Sequence, residues 1–184
     1  MHYGKLMVIA TVTMILSATG IMADAPLKAQ SVETTAKAMM ETACRDKDFA
    51  DFFEGFSRAS WPERQAYLAP SIRVVKNGKA HMVPRAAYTG YDIMLVDYSY
   101  ATASSFTLFE AGKRADFDKI THNAVALPKG DYRVDWSRGT FAVTGEDEAE
   151  ESLVRRFGPA QSYSFRKTAS CWQLAEDHTG AAAR

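Results

Sequence analysis

Asp97 and His81 are the side chains of this 184-residue chain best suited to acid–base chemistry. Asp97 lies inside the apolar run Tyr91 to Tyr100, YDIMLVDYSY, where Val96 and Tyr98 flank it. Desolvation by such neighbours raises a carboxyl pKa toward the range of a useful proton donor or base. His81 falls two residues before Val83 in a strand-like stretch, so alternation places both on one half-buried face. An imidazole beside that acid is the pair a proton transfer requires, although a lone half-buried histidine is equally an ordinary structural residue. Tyr91, Tyr98, Tyr100 and Trp136 carry amphipathic rings that suit the wall of a ligand or partner site, and cross-strand packing uses the same residues.

Other chemistry is absent from the pattern. There is no GxSxG nucleophile turn, no glycine-rich phosphate loop, no HExxH and no zinc spacing. The acids Glu146, Asp147, Glu148, Glu150 and Glu151 lack the spacing and central glycine of a calcium loop. The sequence thus calls for no metal and no cofactor, and names no catalytic residue beyond the candidates Asp97 and His81.

The amino terminus speaks of compartment. Lys5 precedes an uncharged apolar run, Leu6 to Met22, and then small residues and the first acid at Ala23, Asp24 and Ala25. That order is a secretory signal peptide. Cleavage after Ala25 would place Pro26 beyond the scissile bond, so residues 1–23 are read as the signal and 24–184 as one domain. The expected location is the periplasm or the exterior, with no stable membrane insertion after cleavage. Basic and acidic residues balance at 22 each, and loss of Lys5 leaves a slight negative excess. Such a chain has no counter-charge for a phosphate backbone, which excludes nucleic acid as a partner. Cys44 and Cys171 are the two cysteines. An oxidising compartment and the lack of any CxxC or clustered histidine predict a disulfide between them.

These residues need elements to hold them. Residues 24–30 read as a leader, and Ser31 caps a helix carrying Ala36, Met39, Met40 and Ala43. Phe49, Phe52, Phe53 and Phe56 then recur at helical spacing behind Asp48, a core-facing stripe. Ser60 to Glu63 is a capping box that opens a short helix, stopped by Pro70. Ser71–Val75, the turn signal Asn77-Gly78 and Lys79–Val83 form a hairpin, with Pro84 confining the return strand to an edge. Further strands are expected at 91–100, 105–110, 123–127, 132–136 and 140–144, with His122 in a loop. Glu146 to Phe157 reads as a surface helix ended by Gly158-Pro159, and 162–167 pairs with 171–176 in a closing hairpin. The fold class is α+β, N-terminal helices packed on a curved, mostly antiparallel sheet.

The phenylalanine helix FxxFFxxF and the ending SFRKTASCWQLAED, Ser164 to Asp177, resemble the nuclear transport factor 2-like superfamily in its exported bacterial members. The resemblance covers residues 45–75 and 160–178. It implies a cone in which helices cap a bent sheet around a pocket, and a superfamily of isomerases, dehydratases and non-catalytic binders. The function expected is a non-catalytic binding domain for a small ligand or a protein partner. The alternatives are a pocket enzyme of isomerase or hydrolase type, or a periplasmic immunity or inhibitor protein.

Overall fold

The computed structural model describes residues 25–143 and 151–180. The expected signal peptide 1–23 and its cleavage point, the acids 146–150 and the last four residues lie outside them. Helix α1, Ala25–Asp46, begins before the expected cap, so the stretch from residue 25 is helical rather than a leader. It buries Ala36, Met40 and Ala43. Helix α2, Phe49–Arg58, starts where the Asp48 carboxylate accepts the N–H groups of Ala50 (2.9 Å) and Asp51 (3.1 Å). Its four phenylalanines are each at most 3% exposed, the amphipathic stripe turned fully inward. Gly55 lets the two helices close: a Cβ there would sit 2.9 Å from Met40 Cγ and 3.2 Å from the Ala36 carbonyl. Helix α3, Trp61–Gln65, opens with the Ser60 N–H donating to Glu63 at 3.2 Å.

Strand β1, Leu68–Lys76, then forms a hairpin with β2, Lys79–Pro84. Asn77 and Gly78 both have positive φ, 53° and 75°, as a type I′ turn demands. Pro70 does not stop a helix. It lies in β1, in the irregular stretch between the paired residues Leu68 and Arg73, where its missing N–H breaks no ladder bond. The run 91–100 is not one strand either. Asp97 takes φ 53° in a turn that splits it into a separate hairpin, β3 Ile93–Val96 and β4 Ser99–Thr102. Residues 105–110, expected as a strand, belong to helix α4, Ala103–Glu110. Its cap is supplied from a distance, since Asp92 accepts from the Ser104 N–H (2.7 Å) and hydroxyl (2.9 Å).

Four longer strands finish the chain: β5 Ile120–Ala126, β6 Tyr132–Val143, β7 Glu151–Lys167 and β8 Trp172–Thr179. They complete a six-stranded sheet ordered β2-β1-β8-β7-β6-β5, antiparallel except where β1 lies parallel to β8. Residues 151–157 are therefore strand, not helix, and pair with β6. Gly158-Pro159 does not end an element. It forms a bulge in β7, where Gly158 takes φ +75° and three residues oppose Ser137. One face of the sheet meets α2: Val134, Trp136, Tyr163, Phe165, Trp172 and Leu174 are buried against the phenylalanine stripe. The Cys44–Cys171 disulfide, Cα atoms 4.8 Å apart, ties the end of α1 to the start of β8. The fold is the α+β arrangement of helices on a bent, mostly antiparallel sheet.

Candidate functional site

The cone interior is closed by rings. Phe56 meets Tyr91 edge-on at 4.9 Å and Phe165 at 5.5 Å, and Tyr91 lies 4.8 Å from Tyr163. Arg64 is buried beside them, donating at 2.7 Å to the carbonyls of Phe56 and Ser57 near the end of α2, with its guanidinium 5.1 Å from the Tyr91 ring centre. A cation on those carbonyls complements the helix dipole.

A second polar knot sits deeper. A one-residue bulge at Ala175 inverts the alternation of β8, so that Asp177, opposite Tyr163, turns inward as Leu174 did. Its Oδ2 accepts the Tyr88 hydroxyl at 2.9 Å. The Tyr163 hydroxyl donates to the Gly90 carbonyl (3.2 Å) and accepts the Asp92 N–H (3.0 Å). Burial raises the Asp177 carboxyl above its ordinary value, and the Tyr88 hydrogen bond opposes that rise. The folded state thus holds the Asp177 proton more tightly than the unfolded chain, so this group costs stability as pH rises through its folded pKa. Tyr88→Phe removes the opposing bond. It should cost about 1.5–3 kcal/mol at neutral pH and distinctly less at acid pH, where the carboxyl is protonated. Urea unfolding at the two pH values checks this, and an equal loss at both would contradict it.

The open chemistry lies at the rim. Tyr100 on β4 and His122 on β5 face each other at 4.3 Å between ring centres, and Phe53 of α2 underlies both, at 5.7 and 5.3 Å. Burial lowers the His122 pKa, so the imidazole is neutral at physiological pH, with one N–H and one lone pair to offer. Burial likewise pushes the Tyr100 hydroxyl up to about 12, which keeps it a donor. These two residues line an open cleft of ≈ 400 Å³ with Tyr98, Lys119, Phe141 and Glu151. A second cleft of ≈ 380 Å³ shares Thr121 and His122 with it and reaches Trp136 and the β7 bulge. Trp136, directly opposite His122 in the ladder, is 3% exposed, and its indole N–H meets no acceptor among the described residues.

The structure distributes the sequence candidates unevenly. Tyr100 and Trp136 come together, joined by His122. Tyr91 is interior, its hydroxyl 3.1 Å from Ser57 Oγ, and it lines neither cleft. Tyr98 stands at the rim, 97% exposed. Asp97 is exposed in its turn rather than desolvated in a strand, because the chain reverses there. His81 is exposed on the outer edge strand β2, not half-buried with Val83. The two sit in different sheets and form no pair. His122 was missed because β5 starts at Ile120, before the expected 123. The apolar Ile120 two residues upstream, on the same face, was the available signal.

Among the described residues no group of three or more metal-ligating side chains occurs, and no helix is long and apolar enough to cross a membrane. No family model and no curated protein matches the chain. Solved structures do resemble it. An NTF2-designated chain carrying point substitutions is 14% identical, with 85% of this chain and 100% of that one covered at a TM-score of 0.33. A DUF4783 family protein from Bacteroides fragilis YCH46 is 12% identical over 66% of this chain and 86% of that one, TM-score 0.32. An NTF2-like protein of unknown function from Pseudomonas putida KT2440 is 14% identical over 86% and 89%, TM-score 0.28. With TM-scores this low the architecture rests on the chain's own strand order.

Proposed function

We propose that this chain is an exported, non-catalytic binding domain that takes a small planar ligand in the cleft between Tyr100, His122 and Trp136. The supporting observation is one contrast. Most interior polar groups are paired and buried, whereas the rim holds a neutral imidazole beside the Tyr100 ring whose hydrogen-bonding capacity no described residue uses. An imidazole with one free donor and one free lone pair can hold the polar edge of a ligand lying in the cleft. Residence in the periplasm or outside the cell accords with the oxidised cysteine pair and the leader-like first 23 residues.

Benzamide serves as a flat, uncharged probe. Titrated into the wild-type protein, it should shift the resonances of Tyr100 and His122, and His122→Ala should weaken it by roughly fivefold through loss of ring contact. Unmoved resonances at millimolar benzamide would refute the small-ligand reading. A protein partner is the second reading. It is favoured by the bare apolar rim, where Tyr98 is 97%, Val143 53% and Val154 65% exposed. Recovery of one stoichiometric partner whose binding Tyr98→Ser abolishes would favour it.

A further inference from the structure

We infer that the free edge of β5 pairs with the same edge of a second copy of this chain, antiparallel about a two-fold axis, so that the two sheets run on into one. The two edges of the six-stranded sheet differ. β2 begins at Lys79 and ends at Pro84, a charge and a missing donor that blunt an edge. β5, Ile120–Ala126, has neither a charge nor a proline, its His122 being neutral, and no bulge interrupts its register with β6. An uncovered strand of that kind is a template for pairing. The Lys119 carbonyl accepts the Gly139 N–H at 3.0 Å. Alternation then turns the backbone groups of Thr121, Asn123 and Val125 toward β6 and leaves those of His122, Ala124 and Ala126 facing outward. β4 meets this edge only at the bridge of Ala101 to Lys119, and the turn Pro128–Gly130 leads the chain away at the far end. Among the described residues no other strand covers the window between them.

The side chains of the window select its occupant. An added strand draws affinity from main-chain bonds and specificity from pockets for alternate side chains. Ala124 and Ala126, both exposed, offer a foreign peptide no such pocket. A second β5 needs none. Set antiparallel, with Ala124 opposite Ala124 and His122 opposite Ala126, each outward N–H meets an outward carbonyl. The side chains that then face one another at the axis are small, and no like charges oppose. The same pairing through β2 would bring Lys79 and the donor-less Pro84 into the ladder. A window this short makes a weak dimer, with a Kd on the order of 10–100 μM.

Analytical ultracentrifugation of the protein from about 1 μM to about 1 mM should follow a monomer into a dimer. In the dimer the amide protons of Ala124 and Ala126 should gain protection from hydrogen exchange. Ala124→Lys sets two ammonium groups face to face and should weaken the dimer roughly tenfold. Ala124→Glu should do the same, and an equal mixture of the two variants should recover the pairing, which only a contact of position 124 with itself produces. Ala124→Pro, whose missing N–H points outward and costs no bond to β6, should be monomeric throughout. Met82→Lys, on the opposite edge strand at 59% exposure, should leave the dimer unchanged. A chain that stays monomeric at about 1 mM overturns the assignment, whether or not it takes up a foreign strand. So would charge variants that dimerise like the wild type, a Lys–Glu mixture that fails to pair, or a dimer lost in Met82→Lys.

Discussion

Replacing Cys44 and Cys171 together with alanine is expected to lower the unfolding free energy by about 4–5 kcal/mol, the loop-closure entropy of a cross-link of this span. The bridge joins residues 127 apart in sequence, nearly the whole described chain. It also acts where the fold has little else to hold it. Helix α1 meets the rest of the molecule mainly through α2, and among its described side chains it buries Ala36, Met40 and Ala43 there. Without the staple, α1 depends on that narrow strip and on the close approach at Gly55. For a domain of this size the loss corresponds to a fall in Tm on the order of 10–15 °C. Thermal unfolding of the wild type with and without reductant measures the same quantity, and coincident curves would show that the link carries no stability. Mass mapping without reduction should join the Cys44 and Cys171 peptides.

The disulfide was legible from the chain because its logic is global: two cysteines, one connectivity and an expected export. The α2 stripe was legible because four phenylalanines at i, i+3, i+4 and i+7 permit one period only. The closing hairpin and the alternation of Tyr132, Val134 and Trp136 were legible for the same reason. What failed depended on distant partners. Helix α4 has the composition of a strand, and its N-terminus is secured by Asp92, a residue that local pattern cannot connect to it. Residues 151–157 carry a helix-like charge gradient, yet pairing with β6 overrides it, as tertiary context commonly overrides propensity. Asp97 was misplaced by an unrecognised turn: a non-glycine residue at positive φ carries no loud signal, although aspartate is among those that tolerate it. The rim site was half legible. Tyr100 and Trp136 were marked by type, whereas His122 became visible only with the register of β5, and the orphan indole only with packing.

Phe56→Ala should be the most damaging single substitution in the core, at about 3–5 kcal/mol. Phe56 is wholly buried and touches Phe52 of its own helix at 5.8 Å and three partners from elsewhere in the chain: Tyr91 at 4.9 Å, Phe165 at 5.5 Å and the Arg64 guanidinium at 5.9 Å. Rings from α2, the β3 approach and β7 lock one another, so the site cannot collapse when one ring goes. The lost transfer energy and the residual cavity therefore add. Phe106→Ala makes the control. Phe106 belongs to an outlying trio with Phe109 and Phe117 and is only half-buried, so the same chemical change should cost about 1 kcal/mol. The pair also tests whether the interior is core or binding chamber. If it is core, Phe56→Ala leaves a dry apolar void that accepts benzene, and benzene raises the Tm of the variant while leaving the wild type unchanged. A wild type that benzene stabilises equally, or a Phe56→Ala protein as stable as its parent, would mean that the cone already keeps room for a ligand. The binding site would then have to be moved inward from the rim.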